Sequence, residues 1–222
     1  MKKLIDLSHV VEEGMVTYKG LPAPLICDFL TREASKAHYA EGTTFHIGTL
    51  ELCGNTGTYI DSPFHRYESG KDLSELPLES LAELDGVVLH APVGQTSIGP
   101  DLFEGTDVRG KAVLIHTAWD NHWRTDQYFE NHPHITAAAA EWLKASGAAL
   151  VGIDSYNIDS TSTGARPAHT ILLGADIPIV EHMRGLKSLP DSGFTFNAVP
   201  VKVKKFGTFP VRAYSAVEAS NF

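Results

Sequence analysis

Gly54-Asn55-Thr56-Gly57-Thr58-Tyr59-Ile60-Asp61-Ser62-Pro63-Phe64-His65 is the stretch on which the reading of this chain turns. The apolar residues before it, Leu50 and Leu52, form too short a run for a helix, and Gly57 and Pro63 would break one. The stretch reads as a strand that leaves a sheet as an irregular polar loop. Extended residues alternate faces, so Asn55, Gly57, Tyr59 and Asp61 share one side. An amide, a phenol and a carboxylate then stand together, with His65 following a proline-fixed bend. Most polar Gly/Pro loops are plain turns. What lifts this one to a candidate site is a second acid–imidazole pair, His169 and Glu181, in a similar setting downstream.

Composition sets the frame. With 222 residues, 43% hydrophobic content and a mean hydropathy of −0.09, the chain suits a soluble globular protein with a sizeable core. A formal net charge of −9 argues against nucleic acid or an anionic membrane as partner. Eleven histidines make acid–base or metal chemistry worth testing. Cys27 and Cys53 have no metal-site spacing and fit small buried thiols in a reducing compartment. The start, Met1 to Asp6, has an acid at position six and no apolar core of a secretory leader, and no run is long enough to cross a bilayer. A cytoplasmic location and one domain over 1–222 are expected.

Outward from the central stretch, strands are expected at Leu4–His9, Leu25–Leu30, Thr43–Leu52, from Val87 to His90, at Lys111–His116, Ala148–Ile153 and Ile177–Val180. Lys111–His116 is apolar enough to be buried on both faces. Gly20, Pro22 and Pro24 make Tyr18–Pro24 an extended loop suited to covering a pocket. Ala34–Gly42 is a polar segment expected to move or to meet a partner chain. Short helices are predicted over Leu76–Leu84 and His169–Leu173. A longer one runs from an N-cap at Thr136 to about Ala145, closed by Gly147. The helix between two buried strands predicts a parallel pair inside a mixed sheet. Thr117–Pro133, rich in Trp, Asn, His and Tyr, suits substrate contacts or a loop that packs its own rings. Phe194–Val203 and Thr208–Val217 read as an antiparallel hairpin. His9, His46 and His116 are expected to be packed, and His132 and His134 to lie on a surface loop.

Asp61, His65, His169 and Glu181, with Asn55 and Tyr59 at their edge, form the candidate constellation. Two carboxylates and one or two imidazoles suit a borderline divalent ion such as Zn²⁺ or Mn²⁺. An ion there polarises a carbonyl and acidifies bound water, and the remaining histidine shuttles protons.

Several motifs, in order along nearly the whole chain, resemble the putative cyclase family, which includes bacterial kynurenine formamidase (arylformamidase) and isatin hydrolase. They are Leu4-Ile5-Asp6-Leu7-Ser8-His9, Gly57-Thr58-x-x-Asp61-x-Pro63-x-His65, Gly152-Ile153-Asp154 with Asp159, His169 with Glu181, and Pro210-Val211-Arg212. The resemblance implies an α/β, swivelling β/β/α-type single domain with a mixed central sheet, a homo-oligomer, and hydrolysis of amide-type bonds with Zn²⁺ or Mn²⁺. The family motif His-x-Gly-Thr-His-x-Asp-x-Pro-x-His places Asp61 as the metal-bridging acid and His65 as the acid/base histidine. His169 and Glu181 fall on ligands of its second metal, and Trp119 on a pocket-lining aromatic. Its two leading histidines are Asn55 and Tyr59 here. An amide is a weak ligand for Zn²⁺, and a phenol of ordinary pKa must lose a proton to bind well.

Three functions follow. The first is a hydrolase of a small amide or cyclic amide with one divalent metal on Asp61, His169 and Glu181, and with His65 and Tyr59 in catalytic roles beside Asn55 and Trp119 as substrate contacts. The second is a metal-independent cyclase, dehydratase or isomerase using Tyr59 and His65. The third is a non-catalytic ligand-binding member of the family.

Overall fold

The apolar run at Lys111–His116 becomes the central strand of a nine-stranded sheet. In the computed structural model, which describes residues 2–218, the first strands are β1 (Lys2–Asp6), β2 (Leu25–Leu30), β3 (Ile47–Glu51), β4 (Tyr59–Asp61) and β5 (Leu84–His90). Next come β6 (Ser97–Ile98), β7 (Ala112–His116), β8 (His134–Ile135), β9 (Leu150–Ile153) and β10 (Ile179–Glu181). The last are β11 (Ser192–Asn197), β12 (Thr208–Pro210) and β13 (Tyr214–Glu218). The helices are α1 (Arg32–Ser35), α2 (Ala137–Ser146) and α3 (Pro167–Leu173). The large sheet runs β1-β13-β11-β5-β7-β9-β10-β4-β12. β5, β7, β9 and β10 are parallel neighbours, and the flanking pairs are antiparallel. This is a mixed α/β fold with the mixed central sheet expected from the sequence.

β7 shows how the sheet divides the core. Ala112 and Leu114 pack on one face with Ile60, Met183 and Phe196. Val113 and Ile115 pack on the other, with Ala139, Ala140 and Leu143 of α2 and Leu172 and Leu173 of α3. The period of two along the strand thus feeds two cores, and each fully buried Leu, Ile or Phe contributes about 1.5–3 kcal/mol. Helix α2 has the predicted ends: Thr136 Oγ1 accepts the Ala139 N–H at 3.1 Å, and Gly147 closes it at φ +80°.

Other expectations are corrected. Leu76–Leu84 is not a helix: only Leu78–Ser80 makes a 3₁₀ turn, and Leu84 pairs with Phe196 in the sheet. A segment this short gains more from burying Leu76, Leu81 and Leu84 than from helical turns. The C-terminal segments do not form one hairpin. β11 and β13 pair directly, while β12 crosses to the far edge and pairs with β4. Gly207 permits that crossing, because a Cβ there would stand 2.6 Å from the His65 backbone. The strand expected over Thr43–Leu52 begins only at Ile47, and α1, capped by Thr31, runs into the start of the polar Ala34–Gly42 segment. His46 is exposed and pairs with Asp28 at 2.7 Å, Cys27 is exposed, and His132 is buried rather than on the surface.

β2 and β3 form a separate ribbon. It leaves Phe29 76% and Leu50 54% exposed. Among the described residues no helix is long and apolar enough to cross a membrane.

Candidate active site

Strand register assembles the site. β4 lies between β10 and β12, so Asp61 faces Ile179 and Thr208, and Tyr59 faces Glu181 and Pro210. Directly opposed side chains share a face of the sheet, which brings Thr208 to Asp61 and Glu181 to Tyr59. Thr208 Oγ1 donates to Asp61 Oδ1 at 2.5 Å and lies 2.7 Å from His65 Nδ1. A hydroxyl has one proton, and Asp61 takes it. His65 Nδ1–H must therefore be the donor to Thr208, which leaves the lone pair on Nε2. Across the strand, the Tyr59 hydroxyl donates to Glu181 Oε2 at 2.5 Å, and the Ile158 N–H donates to Oε1 at 2.6 Å.

His169 comes from α3, which Pro167 starts in its first turn. Asp159 caps the helix from outside. Its Oδ1 accepts the Ala168 N–H at 2.7 Å, and its Oδ2 accepts the His169 N–H at 3.0 Å and His169 Nδ1–H at 2.7 Å. With Nδ1 held, Nε2 is aimed at Asp61 Oδ2 and Glu181 Oε1, each 3.7 Å away. Asp61 Oδ2 is buried and has no hydrogen-bond partner.

Burial alone would lower the His169 pKa, but the carboxylates of Glu181, Asp159 and Asp61 outweigh it and push it up to about 10. Burial raises the Glu181 carboxyl, against the pull of His169. Burial, then the Glu181 charge, holds the Tyr59 hydroxyl well above its ordinary value, so Tyr59 remains a phenol and a donor.

A cavity of about 290 Å³ opens onto these groups. His65, His169, Glu181, Tyr59 and Asn55 line it, together with Tyr18, Asn157, Arg66 and Arg166. The Tyr18 hydroxyl lies 2.9 Å from that of Tyr59, donates to the Tyr156 carbonyl and accepts from Asn157 Nδ2. The Gly/Pro loop that carries Tyr18 does reach the cavity, as a pocket cover would.

Asp61, His65 and His169 offer ligand atoms within 4.8 Å of one another. A buried carboxylate oxygen that accepts no hydrogen bond and faces an imidazole nitrogen is a place that one divalent cation satisfies once the imidazole is neutral, and the N/O donor set suits a borderline divalent ion. The residues present therefore fit a single divalent ion. Of the three ligands expected from the sequence, Glu181 is the least available, since both of its oxygens already accept hydrogen bonds. Trp119 stands outside the cavity lining: its Nε1–H donates to the Tyr128 carbonyl, and its ring packs on His122. The long aromatic loop around it packs its own rings, with Trp123 against Tyr128 at 5.0 Å, and Trp123 also stacks on His9, outside the loop, at 3.9 Å. Thr208 and Asn157 carried no signal in the sequence, because cross-strand pairing sets Thr208 against Asp61 and loop closure brings Asn157 to the cavity; Arg66 reaches it beside His65, and Arg166 at the start of α3. Asp159 was legible only through the family motif.

Residues 5–160 match the family model described as "Putative cyclase", and the chain belongs to that family. It is 29% identical over 215 residues to a kynurenine formamidase of Geobacillus thermodenitrificans, covering 96% of this chain and 97% of that protein. To the kynurenine formamidase of Bacillus anthracis it is 26% identical over 212 residues, covering 95% and 96%. In fold it is similar to isatin hydrolase A from Labrenzia aggregata, with a TM-score of 0.81 at 19% identity over 97% of this chain and 94% of that one.

Proposed function

We propose that this protein is a hydrolase of a small amide or cyclic amide, arylformamidase-like, that uses one divalent metal, Zn²⁺ or Mn²⁺. The observation that carries the reading is the buried Asp61 Oδ2, which accepts no hydrogen bond and faces His169 Nε2 at 3.7 Å, with Asp159 fixing the His169 ring from behind. Asp61 and His169 would hold the ion, with Glu181 beside them. When bound, the ion supplies carbonyl polarisation and a water acidic enough to ionise near neutral pH. His169 must first give up its proton, so ion affinity rises with pH.

The chain's own groups do the rest. His65 Nε2, free of the Thr208 contact, takes up and returns a proton in the cavity. Tyr59, kept as a phenol, gives its one proton to Glu181 Oε2 and would stabilise the reacting oxygen by turning that donor towards it; the Asn55 side chain stands beside that hydroxyl. Arg66 and Arg166 at the wall suit an anionic group on the substrate or product. The kynurenine formamidase relatives support the amide class. The chain is read as one unit over 1–222. The apolar β2–β3 ribbon supports a homo-oligomer, and the free thiols of Cys27 and Cys53 support a cytoplasmic location.

The test is metal content and turnover of an aryl formamide by protein purified without added metal. About one ion per chain, lost in Asp61→Ala, with activity removed by EDTA and restored by Zn²⁺ or Mn²⁺, is the expected result. Turnover that ignores EDTA in metal-free protein would overturn it. That outcome would favour the metal-independent reading, for which the protonated Tyr59 is the supporting observation.

A further inference from the structure

A second pair of imidazoles lies apart from the cavity. His90 ends β5 and His116 ends β7, and the two are register partners in a parallel pair. Parallel register sets their side chains abreast, and the two Nδ1 atoms face each other at 2.8 Å. Each ring has a carboxylate behind its other nitrogen. His90 Nε2 is 3.1 Å from Asp191 Oδ1, and His116 Nε2 is 3.9 Å from Asp154 Oδ2.

Asp191 accepts at His90 Nε2, which leaves the His90 lone pair on Nδ1; Asp154, at 3.9 Å, is beyond hydrogen-bond reach of His116, whose Nδ1–H donates to His90 Nδ1 in the ion-free protein. One proton therefore joins the two nitrogens, and a divalent cation bound to both Nδ1 atoms can take its place, the His116 proton moving to Nε2. Burial, and then His90 itself, lowers the His116 pKa, which works against a second proton on the pair; Asp120 and Lys187 are the other charges that act on this ring. Two nitrogens bound to one ion at roughly 2.0–2.1 Å stand about 3 Å apart, near the spacing already present. The backbone after His116 is fixed as well, since Asp154 accepts the Thr117 and Ala118 N–H groups. The His90 side chain is 44% exposed, so an ion can reach the pair from solvent.

We propose that His90 and His116 form a two-nitrogen chelate for a divalent transition-metal ion of the Zn²⁺, Ni²⁺ or Cu²⁺ class, with Asp191 orienting the His90 ring. Water completes the coordination. The pair shares no residue with the Asp61–His169 cluster and does not depend on the activity proposed above.

The experiment is equilibrium dialysis of the full chain against micromolar Zn²⁺, with ions counted per chain. The His90→Asn/His116→Asn double variant is expected to carry one ion fewer than wild type, independently of the ion lost in Asp61→Ala. Asp191→Asn should weaken the site on the order of 10-fold. A double variant that matches wild type in ion content overturns the proposal. Histidine ¹⁵N NMR of the unaltered protein is the second reading: Zn²⁺ should move both Nδ1 resonances of this pair. Resonances that stay still, as for a proton shared between the rings, would overturn it equally.

Discussion

His132 and His169 are almost equally buried, at 4% and 5% exposure, yet they are driven in opposite directions. Burial takes His132 down to about 4. Its ring nitrogens meet the Pro133 carbonyl and the Thr161 hydroxyl, with no carboxylate in contact. His169 suffers the same burial, but three carboxylates carry it up to about 10. Low exposure alone therefore says nothing about a histidine's charge. The partners supplied by the surrounding strands decide it, and only the ring surrounded by acids is equipped to exchange its proton for a cation.

That contrast can be broken most severely at Asp61. Asp61→Ala removes the unpaired oxygen opposite His169 and should lower kcat/KM roughly 10³-fold or more, the order expected when several kcal/mol of charge stabilisation are lost. Steady-state kinetics with a metal assay on the same sample checks it. Tyr59→Phe leaves the carboxylates and removes a donor, so a loss of about 10²-fold in kcat is expected with metal content unchanged. Asp159→Asn frees the His169 ring, and ion affinity measured by competition with a chromogenic chelator should fall about 10- to 100-fold.

The smallest effect sharpens the comparison through pH. In metal-free protein the unfolded chain protonates His132 near 6.5 and the folded chain only near 4. Between those values the unfolded state binds more protons, so stability falls on acidification by about 1.4 kcal/mol per unit for this group. His169 has the opposite sign. Its contribution is complete below about 6.5 and is lost as pH rises towards 10. Urea midpoints across pH should show the acid limb flattened in His132→Asn and the alkaline limb flattened in His169→Gln. Histidine NMR at pH 6 and pH 8 should find His132 neutral and His169 charged.

Local pattern carried much of this molecule. Lys111–His116 reads as a doubly buried strand because nearly every residue is apolar, and Thr136 and Gly147 mark the ends of α2 because capping is local chemistry. His132 was misread because a Pro/His loop looks solvated until its ring is found buried and bonded to Thr161. Trp119 was drawn towards the cavity by the family motif alone, and in the fold its indole serves the Tyr128 carbonyl instead.

By itself, then, the sequence determined which groups are chemically able to act: Asp61, His65, His169 and Glu181, with Asn55 and Tyr59 where the family motif has histidines. Residue identity and spacing fix donor and acceptor types, and these are properties of the chain. Only the tertiary structure decided how those groups are charged and what they face. Register between strands far apart in the sequence pairs Thr208 with Asp61 and Glu181 with Tyr59, and proton affinity depends on burial and on charges brought close in space.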